Sequence, residues 1–218
     1  MNGWFVTGTD TGVGKSRTSA ALLHALRRGG MRAVGMKPVA AGTDDEGIND
    51  DVVMLRAAGG VAVPASLDNP YLLPDPVSPH IAARNVGVTI DLDLLVRRCN
   101  ALQDLADAVV VEGAGGFLVP LTDTLTGADL AVALDLPVIL VIGLRLGCLN
   151  HALLTQEAIV SRGLRLAGWV ANELDPSMPE REANMAFLDQ RLQAPRLAHW
   201  PWAPGADLAA LPIDVPHA

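Results

Sequence analysis

One glycine-rich stretch near the N-terminus constrains the fold of this chain more than any other feature: Gly8-Thr9-Asp10-Thr11-Gly12-Val13-Gly14-Lys15-Ser16. It follows an apolar run at 4–6 and precedes apolar residues at helical spacing over 18–26. A strand, a glycine loop, a lysine, a hydroxyl and a helix in this order are typical of a phosphate-binding loop, because backbone N–H groups and the helix N-terminus can surround an anion. Five residues separate Gly8 from Gly14, one more than usual, so we interpret the stretch as a variant P-loop.

Two side chains of this loop point to a magnesium nucleotide as its ligand. Lys15 can reach the terminal phosphates, and the hydroxyl of Ser16 can hold Mg²⁺. The alternative is an ordinary strand-to-helix turn that contains Lys-Ser by chance. The position of the pattern between an apolar run and a helix favours the P-loop.

Composition restricts the partners and the compartment. A chain of 218 residues can bury a core as one α/β domain, so we expect a single domain over 1–218. The net charge of −8, without a basic run, argues against nucleic-acid and anionic-membrane partners. Only Cys99 and Cys148 occur, and they lack a metal-ligand spacing, so we expect a reducing, cytoplasmic location. The longest apolar run, 136–144, is too short to span a bilayer, which predicts a soluble protein.

Apolar runs and helical periodicities alternate along the chain. The predicted strands lie at 4–6, 32–36, 108–111, 138–142, 166–171 and 197–200. The predicted helices lie at 16–28, 50–58, 79–81, 91–106, 149–161 and 179–192. We expect the proline-rich segment 64–79 to be an ordered loop and the tail from residue 203 to be poorly structured. This alternation predicts an α/β fold with a doubly wound, mostly parallel sheet and helices on both faces.

Carboxylates near the predicted strand ends suggest a magnesium site. Glu112 follows a buried strand and precedes flexible glycines, at the edge where open α/β sheets bind ligands. Asn49 can cap a helix whose first turn contains Asp50 and Asp51. Mg²⁺ prefers hard oxygen ligands and keeps several waters, so Ser16, Glu112 and one of the two aspartates form a suitable set. The alternatives are a solvated acidic loop and a glutamate that only ends a strand.

A second lysine suggests chemistry as well as binding. Lys37 follows the second predicted strand, and with Lys15 it places two cations near a transferring phosphate. The alternative for Lys37 is a surface lysine before a proline turn. No serine, cysteine or histidine pattern suits covalent catalysis, so we expect phosphoryl transfer to an acceptor carried by the substrate.

Six segments, in order over nearly the whole chain, closely resemble those of the dethiobiotin synthetase family. They are Gly8-Thr9-Asp10-Thr11 through Lys15-Ser16, Lys37-Pro38-Val39-Ala40, Ser78-Pro79-His80, Val111-Glu112-Gly113-Ala114-Gly115-Gly116, Leu146-Gly147-Cys148-Leu149-Asn150-His151 and Gly168-Trp169-Val170-Ala171-Asn172. The resemblance implies a homodimeric, Mg²⁺- and ATP-dependent enzyme of biotin synthesis. Such an enzyme closes a cyclic urea on 7,8-diaminononanoate with CO₂, giving dethiobiotin.

The resemblance also implies a mechanism without a protein nucleophile. A substrate amine takes up CO₂ as a carbamate, whose oxygen attacks the γ-phosphate of ATP. The second amine then closes the ring on the carbamic–phosphoric anhydride and expels phosphate. The protein positions the reactants and neutralises charge.

Site residues follow from the resemblance position by position. Lys37 would steady the carbamate and the developing anhydride, and Lys15 would hold the ATP phosphates. The implied metal ligands are Ser16, Asp51 and Glu112. The implied nucleotide contacts are Gly12, Val13, Gly14, Lys15, Ser16, Arg17, Asp51, Glu112, Gly113, Ala114, Gly115, Asn172, Glu173, Pro201, Trp202 and Ala203, with Asn172 reading adenine. The implied substrate contacts are Thr11, Lys37 and Ala41, together with Leu146, Gly147, Cys148 and Asn150 from the second subunit of the dimer.

The chain departs from the family pattern at several positions. The family often has an acid in place of Gly12 and a hydroxyl residue in place of Ala41. Arg145 replaces a more usual lysine, and Ser16 replaces threonine. None of these changes removes an implied phosphate or metal ligand, so the expected activity is unchanged.

Two other classes of protein share the P-loop. Amidation enzymes of the cobyrinate-modifying class normally carry a glutaminase domain, for which this chain has no room. A nucleotide-switched partitioning ATPase is expected to have a lysine early in the P-loop and a DNA- or membrane-binding surface. Neither feature is evident in the sequence. The partitioning ATPase remains the alternative function.

Overall fold

The computed structural model describes residues 2–217. Within this range the strands are β1 (Asn2–Gly8), β2 (Ala33–Met36), β3 (Val39–Ala41), β4 (Tyr71–Leu73), β5 (Ala108–Gly116), β6 (Val138–Leu144), β7 (Leu166–Glu173) and β8 (Arg196–Trp200). The α-helices are α1 (Lys15–Arg28), α2 (Asp50–Ala58), α3 (Ala65–Asp68), α4 (Pro79–Asn85), α5 (Leu92–Leu105), α6 (Gly127–Leu134), α7 (Cys148–Ser161) and α8 (Arg181–Arg191).

Six strands form one parallel sheet in the order β2-β5-β1-β6-β7-β8. Neighbouring residues of β1 face opposite sides of it: Phe5 belongs to one buried apolar cluster, and Trp4 and Val6 belong to another. Residues of α5, α6 and α7 complete the first cluster, and residues of α1 and α2 complete the second. The sheet is therefore covered on both faces, and the predicted doubly wound α/β fold is confirmed.

The strand that carries Glu112 is longer than predicted. The sequence suggested a strand at 108–111 followed by a flexible glycine turn, but β5 continues through Gly116. Its pairing with β1 extends from Val6 opposite Glu112 to Gly8 opposite Gly116, with a register shift between them. Gly115 has a φ of 56° inside this irregularity, so the strand is distorted at its glycines and pairs with β1 again at Gly116. Glu112 itself is paired opposite Val6.

Helix α6 was not predicted. It begins after Thr126, whose backbone N–H and hydroxyl donate to Asp129 at 2.7 and 2.6 Å, in a capping box. A threonine followed three residues later by an acid is a recognised helix-start signal. The signal is present in the sequence, but the helix is short and apolar, so it lacks the polar face that makes a periodic pattern visible.

The proline-rich segment is more regular than the loop that the sequence suggested. It contains α3 and also β4, which pairs in parallel with β3. Ser78 occupies the N-cap position of α4, but its hydroxyl lies 3.0 Å from His80 Nδ1 and makes no capping bond to the backbone. Proline at the first helical position favours this helix start without a side-chain cap.

The C-terminal tail has little regular structure but is held against the sheet. It contains one 3₁₀ turn, Leu208–Ala210. Trp200 Nε1 donates to Pro212 O at 2.9 Å, and Asp214 N donates to Leu197 O at 3.0 Å. The expectation of a poorly structured tail missed these long-range bonds. Among the residues described, no helix has the length and apolar character needed to cross a membrane.

Candidate active site

The P-loop connects β1 to α1 at the carboxyl edge of the sheet. Gly12 and Gly14 have φ angles of 74° and 101°, a conformation that favours glycine. A Cβ on Gly14 would lie 2.4 Å from Asn172 Nδ2, so a side chain cannot fit there without displacing Asn172. Lys15 Nζ donates to Asp10 O at 3.0 Å. The loop therefore folds back on its own lysine.

Four side chains from distant parts of the chain meet beside this loop. Lys37 Nζ lies 2.5 Å from Glu112 Oε1 and 2.7 Å from Asp51 Oδ2. Ser16 Oγ lies 2.5 Å from Asp51 Oδ1 and 2.8 Å from Glu112 Oε1. The sequence left the choice between Asp50 and Asp51 open until the family resemblance favoured Asp51, and Asp51 is the one that faces Lys37.

The folding of neighbouring elements explains this meeting. Met36 pairs with Val111, so the residues that follow them, Lys37 and Glu112, are neighbours across β2 and β5. Asn49 caps α2 by accepting from Val52 N at 3.2 Å, as predicted, which fixes the helix turn that contains Asp51.

Burial and charge act in opposite directions on the two lysines. Burial alone would lower the pKa of Lys37, but the carboxylates of Glu112 and Asp51 outweigh it and raise that pKa above its ordinary value. The pKa of Lys15 is lowered to about 8 by burial and by the charge of Lys37. Burial would raise the pKa of Asp51, but Lys37 holds it below its ordinary value. The neighbouring carboxylates compensate the charge of Lys15 only in part, and an anionic ligand would complete that compensation.

The oxygen atoms around Ser16 suit a cation. One hydroxyl hydrogen can serve only one of the two carboxylate oxygens near Ser16 Oγ, and Glu112 Oε2 is buried without a partner among the described residues. The described residues contain no group of three or more His, Cys, Asp and Glu side chains placed to hold a metal. Two carboxylates and a hydroxyl are a smaller set, which fits Mg²⁺ because Mg²⁺ keeps waters and binds phosphate oxygens.

A cavity of about 750 Å³ opens above these groups. The predicted site residues that line it are Thr11, Gly12, Gly14, Lys15, Ser16, Arg17, Lys37, Ala41, Asp51, Ala114 and Gly115. Val39, Val119 and the segment 76–79 also line it, although the sequence pattern gave them no such role. These additions give one part of the cavity an apolar wall.

The residues expected near the nucleotide base lie beside the P-loop. Asn172 Nδ2 donates to Val13 O at 3.0 Å, and Asn172 Oδ1 accepts from Arg17 Nη1 at 3.3 Å. The Arg17 guanidinium lies over the ring of Trp200, 5.3 Å from its centroid. Asn172 is thus tied to the loop that the phosphates are expected to contact.

Glu173 supports the segment that contains the other expected base contacts. Its carboxylate accepts from His199 Nε2 at 2.8 Å, Arg181 Nη1 at 3.1 Å and Trp202 N at 3.2 Å. Glu173 is buried, and these three donors occupy its oxygens. In the structure Glu173 therefore holds the backbone at Trp202, and its direct contact with a nucleotide stays a prediction.

The turn at 146–150 lies outside the cavity of its own chain. Leu146 is 96% exposed, Cys148 is buried and Asn150 is exposed. Arg145 Nη2 lies 2.5 Å from Asp10 Oδ2, which ties this turn to the P-loop of the same chain. None of residues 146–150 lines this cavity, so the substrate contacts expected of the turn stay a prediction.

Asp68, Asn69 and Arg56 are site-supporting residues that sequence reasoning missed. Lys37 N donates to Asp68 O at 2.7 Å, and Asn69 Nδ2 donates to Lys37 O at 2.7 Å. Arg56 forms two hydrogen bonds of 2.7 Å with the Asp68 carboxylate. No local pattern marks these long-range contacts.

Comparison with solved structures shows the fold. The MinC:MinD cell division complex of Aquifex aeolicus aligns with a TM-score of 0.60 and 16% identity, covering 94% of this chain and 82% of the other. The septum site-determining protein MinD from Pyrococcus horikoshii OT3, complexed with Mg-ADP, gives a TM-score of 0.58 and 18% identity, with coverages of 93% and 82%.

Comparison of sequences is more specific. The AAA domain family matches residues 2–209. The ATP-dependent dethiobiotin synthetase BioD of Ralstonia nicotianae is 54% identical over 216 residues, covering 97% of this chain and 94% of the relative. The protein of the same name from Xanthomonas axonopodis pv. citri is 52% identical over 209 residues, with coverages of 94% and 93%. The P-loop, the fold and these identities together place the chain in the ATP-dependent dethiobiotin synthetase family.

Proposed function

We propose that this protein is an ATP-dependent dethiobiotin synthetase that joins 7,8-diaminononanoate and CO₂ into a cyclic urea. The observation that carries the proposal is the meeting of Lys37 with Asp51, Glu112 and Ser16 beside Lys15 of the P-loop. A phosphate-binding loop alone would serve many ATPases. A second buried lysine at the same edge supplies positive charge for an acceptor next to the γ-phosphate.

The protein side chains act by position and charge. Lys15 and the backbone N–H groups of the loop bind the ATP phosphates. Lys37 steadies the carbamate while its oxygen bonds to the γ-phosphorus and ADP leaves. The second amine then bonds to the carbamate carbon, phosphate departs, and the ring closes. Because the substrate brings the attacking oxygen, no protein nucleophile is needed.

Mg²⁺ is part of the proposal. Ser16, Asp51 and Glu112 would hold it, and the unpartnered Glu112 Oε2 supports that assignment. When bound, the ion would neutralise phosphate charge. The residues of this chain then keep two cations, Lys15 and Lys37, in reach of the same phosphates.

A homodimer is also proposed, with the substrate site shared between the subunits. The turn at 146–150 lies outside the cavity of its own chain, and its first residue, Leu146, has an exposed apolar side chain. Leu154 and Val160 on α7 are also exposed apolar residues and could extend this surface. In a symmetric dimer the turn of one subunit would reach the cavity of the other.

Coupled phosphate release tests the proposed function. Purified protein is given Mg-ATP with diaminononanoate, with bicarbonate, with both and with neither. We expect phosphate release only with both. Release at the same rate without the acceptor would favour a nucleotide-switched partitioning ATPase instead. Arg97→Met is the control for the lysine and arginine substitutions described below, because the Arg97 side chain is 63% exposed and pairs with Asp91 at 3.7 Å.

A further inference from the structure

We propose that Asp68 and Asn69 are positioning residues for Lys37, and that Arg56 ties them to the helix that carries Asp51. The inference rests on the proposed function, because it takes Lys37 to act on the carbamate. It concerns residues that make no contact with the reacting groups. Their role would be to hold the ammonium of Lys37 at a fixed place above the P-loop.

Lys37 needs such support because the sheet ends before it. Strand β2 stops at Met36, and Pro38, which has no N–H, follows Lys37. The main-chain groups of Lys37 are satisfied instead by two consecutive residues. Asp68 O accepts from Lys37 N, and Asn69 Nδ2 donates to Lys37 O, both at 2.7 Å. Asp68 and Asn69 are 4% and 7% exposed, so water cannot readily replace these bonds.

Arg56 connects Asp68, and with it the two residues that hold the main chain of Lys37, to helix α2. Its Nε donates to Asp68 Oδ2 and its Nη2 to Asp68 Oδ1, both at 2.7 Å, in the two-pronged geometry that fixes a carboxylate in direction as well as distance. Arg56 belongs to α2, whose first turn contains Asp51. The side chain of Asp51 contacts Lys37 Nζ at 2.7 Å.

These contacts form a closed ring. It runs from the Lys37 ammonium to Asp51, along α2 to Arg56, across to Asp68, and back to the Lys37 backbone. Both the ammonium and the main chain of Lys37 are therefore connected, through Asp51 and through Arg56, to the same helix, α2. A displacement of about 1 Å at a reacting group can cost about a hundredfold in rate, so loosening this ring should affect the chemical step. The P-loop belongs to other elements and should still bind ATP.

A purely structural role makes a different prediction. If the ion pair between Arg56, whose side chain is 44% exposed, and the buried Asp68 only stabilised the fold, its loss would lower the melting temperature without a selective change in kcat. The discriminating quantities are therefore kcat against the KM for ATP, and the dependence of the effect on Lys37 itself.

The test compares Arg56→Met and Asn69→Ala with wild type and with the surface control Arg97→Met. We expect kcat for dethiobiotin formation to fall at least about tenfold in both variants, with the KM and the measured affinity for ATP within about twofold of wild type. Arg56→Lys, which keeps the charge but not the two-pronged geometry, should recover part of the loss. In a Lys37→Met background, neither substitution should lower the residual single-turnover rate further, because both act through Lys37.

Three results would overturn the inference. They are an unchanged kcat in both variants, parallel losses of ATP affinity and kcat, or a full additional loss in the Lys37→Met background. If wild type itself makes no dethiobiotin, the proposed function falls and this inference with it. If the wild-type protein makes dethiobiotin and the variants are as active as wild type, only the positioning role of Asp68, Asn69 and Arg56 is excluded. Melting curves recorded for every variant establish that each is folded.

Discussion

The ammonium of Lys37 lies 2.5 Å from Glu112 Oε1, and the two side chains are 5% and 0% exposed. A buried charge pair of this kind is costly to form, so it contributes little net stability compared with an apolar pair. Removing one member is different, because the remaining charge stays buried without its partner. The proposed chemistry gives a reason for keeping both.

Lys37→Met should separate binding from turnover. We expect ATP affinity close to wild type, since Lys15 and the P-loop remain, and loss of dethiobiotin formation. The free energy of unfolding should fall by about 3 kcal/mol because Glu112 loses its buried partner. Calorimetric ATP titration, product assays and urea unfolding measure the three quantities. Wild-type turnover in this variant would remove Lys37 from the mechanism.

Gly14→Ala and Gly12→Ala should differ, although both glycines have positive φ angles. The Gly14 substitution would place a Cβ 2.4 Å from Asn172 Nδ2, whereas nothing lies within 4 Å of a Cβ on Gly12. We expect Gly14→Ala to abolish nucleotide binding and Gly12→Ala to keep it, at a cost of about 1 kcal/mol in stability for the left-handed backbone. Equal ATP affinities would show that the crowding at Gly14 is unimportant.

Subunit complementation should reveal a shared site. Lys37→Met and Asn150→Ala are each expected to be inactive as homodimers. A mixture allowed to exchange subunits forms heterodimers in which one site contains native Lys37 and native Asn150. Activity should return to about a quarter of wild type for random equal mixing of a two-site dimer. No recovery despite proven exchange would place both residues in sites made by one chain.

Asp129 should make stability depend on pH. The hydroxyl of Thr126 holds the pKa of Asp129 below its ordinary value of 3.8. An aspartate with a lowered folded-state pKa stabilises the protein above its ordinary pKa, and this contribution disappears as pH falls through the lower folded value. Asp129→Asn should therefore be less stable than wild type at neutral pH, and the difference should shrink in acid.

Urea unfolding at several pH values measures this effect, and Thr126→Val should flatten the pH dependence in the same way, because it removes the hydroxyl donor. A constant difference between wild type and Asp129→Asn at every pH would contradict the assigned role of the carboxylate.

Local patterns in the sequence were enough for much of the fold and for the meeting of Ser16, Lys37 and Glu112. The P-loop, the capped helix start at Asn49 and the apolar run before Glu112 each have a signature within a few residues. Parallel strands then bring such segments to one edge without further information. This is why Ser16, Lys37 and Glu112 could be expected together.

The remaining parts depend on contacts between residues far apart in sequence. The bonds from Asp68 and Asn69 to Lys37 cross more than thirty positions, and the proline-rich segment gave no periodic pattern from which to infer β4. Continuation of β5 to Gly116 likewise follows from its pairing with β1 on both sides of the irregularity at the glycines.

The mass of the product formed from labelled carbon tests whether this protein closes the cyclic urea. Purified protein is incubated with Mg-ATP, diaminononanoate and ¹³C-bicarbonate, and the product mass is determined. We expect dethiobiotin carrying one labelled carbon, in an amount equal to the phosphate released. Phosphate release with no labelled ring product would contradict it.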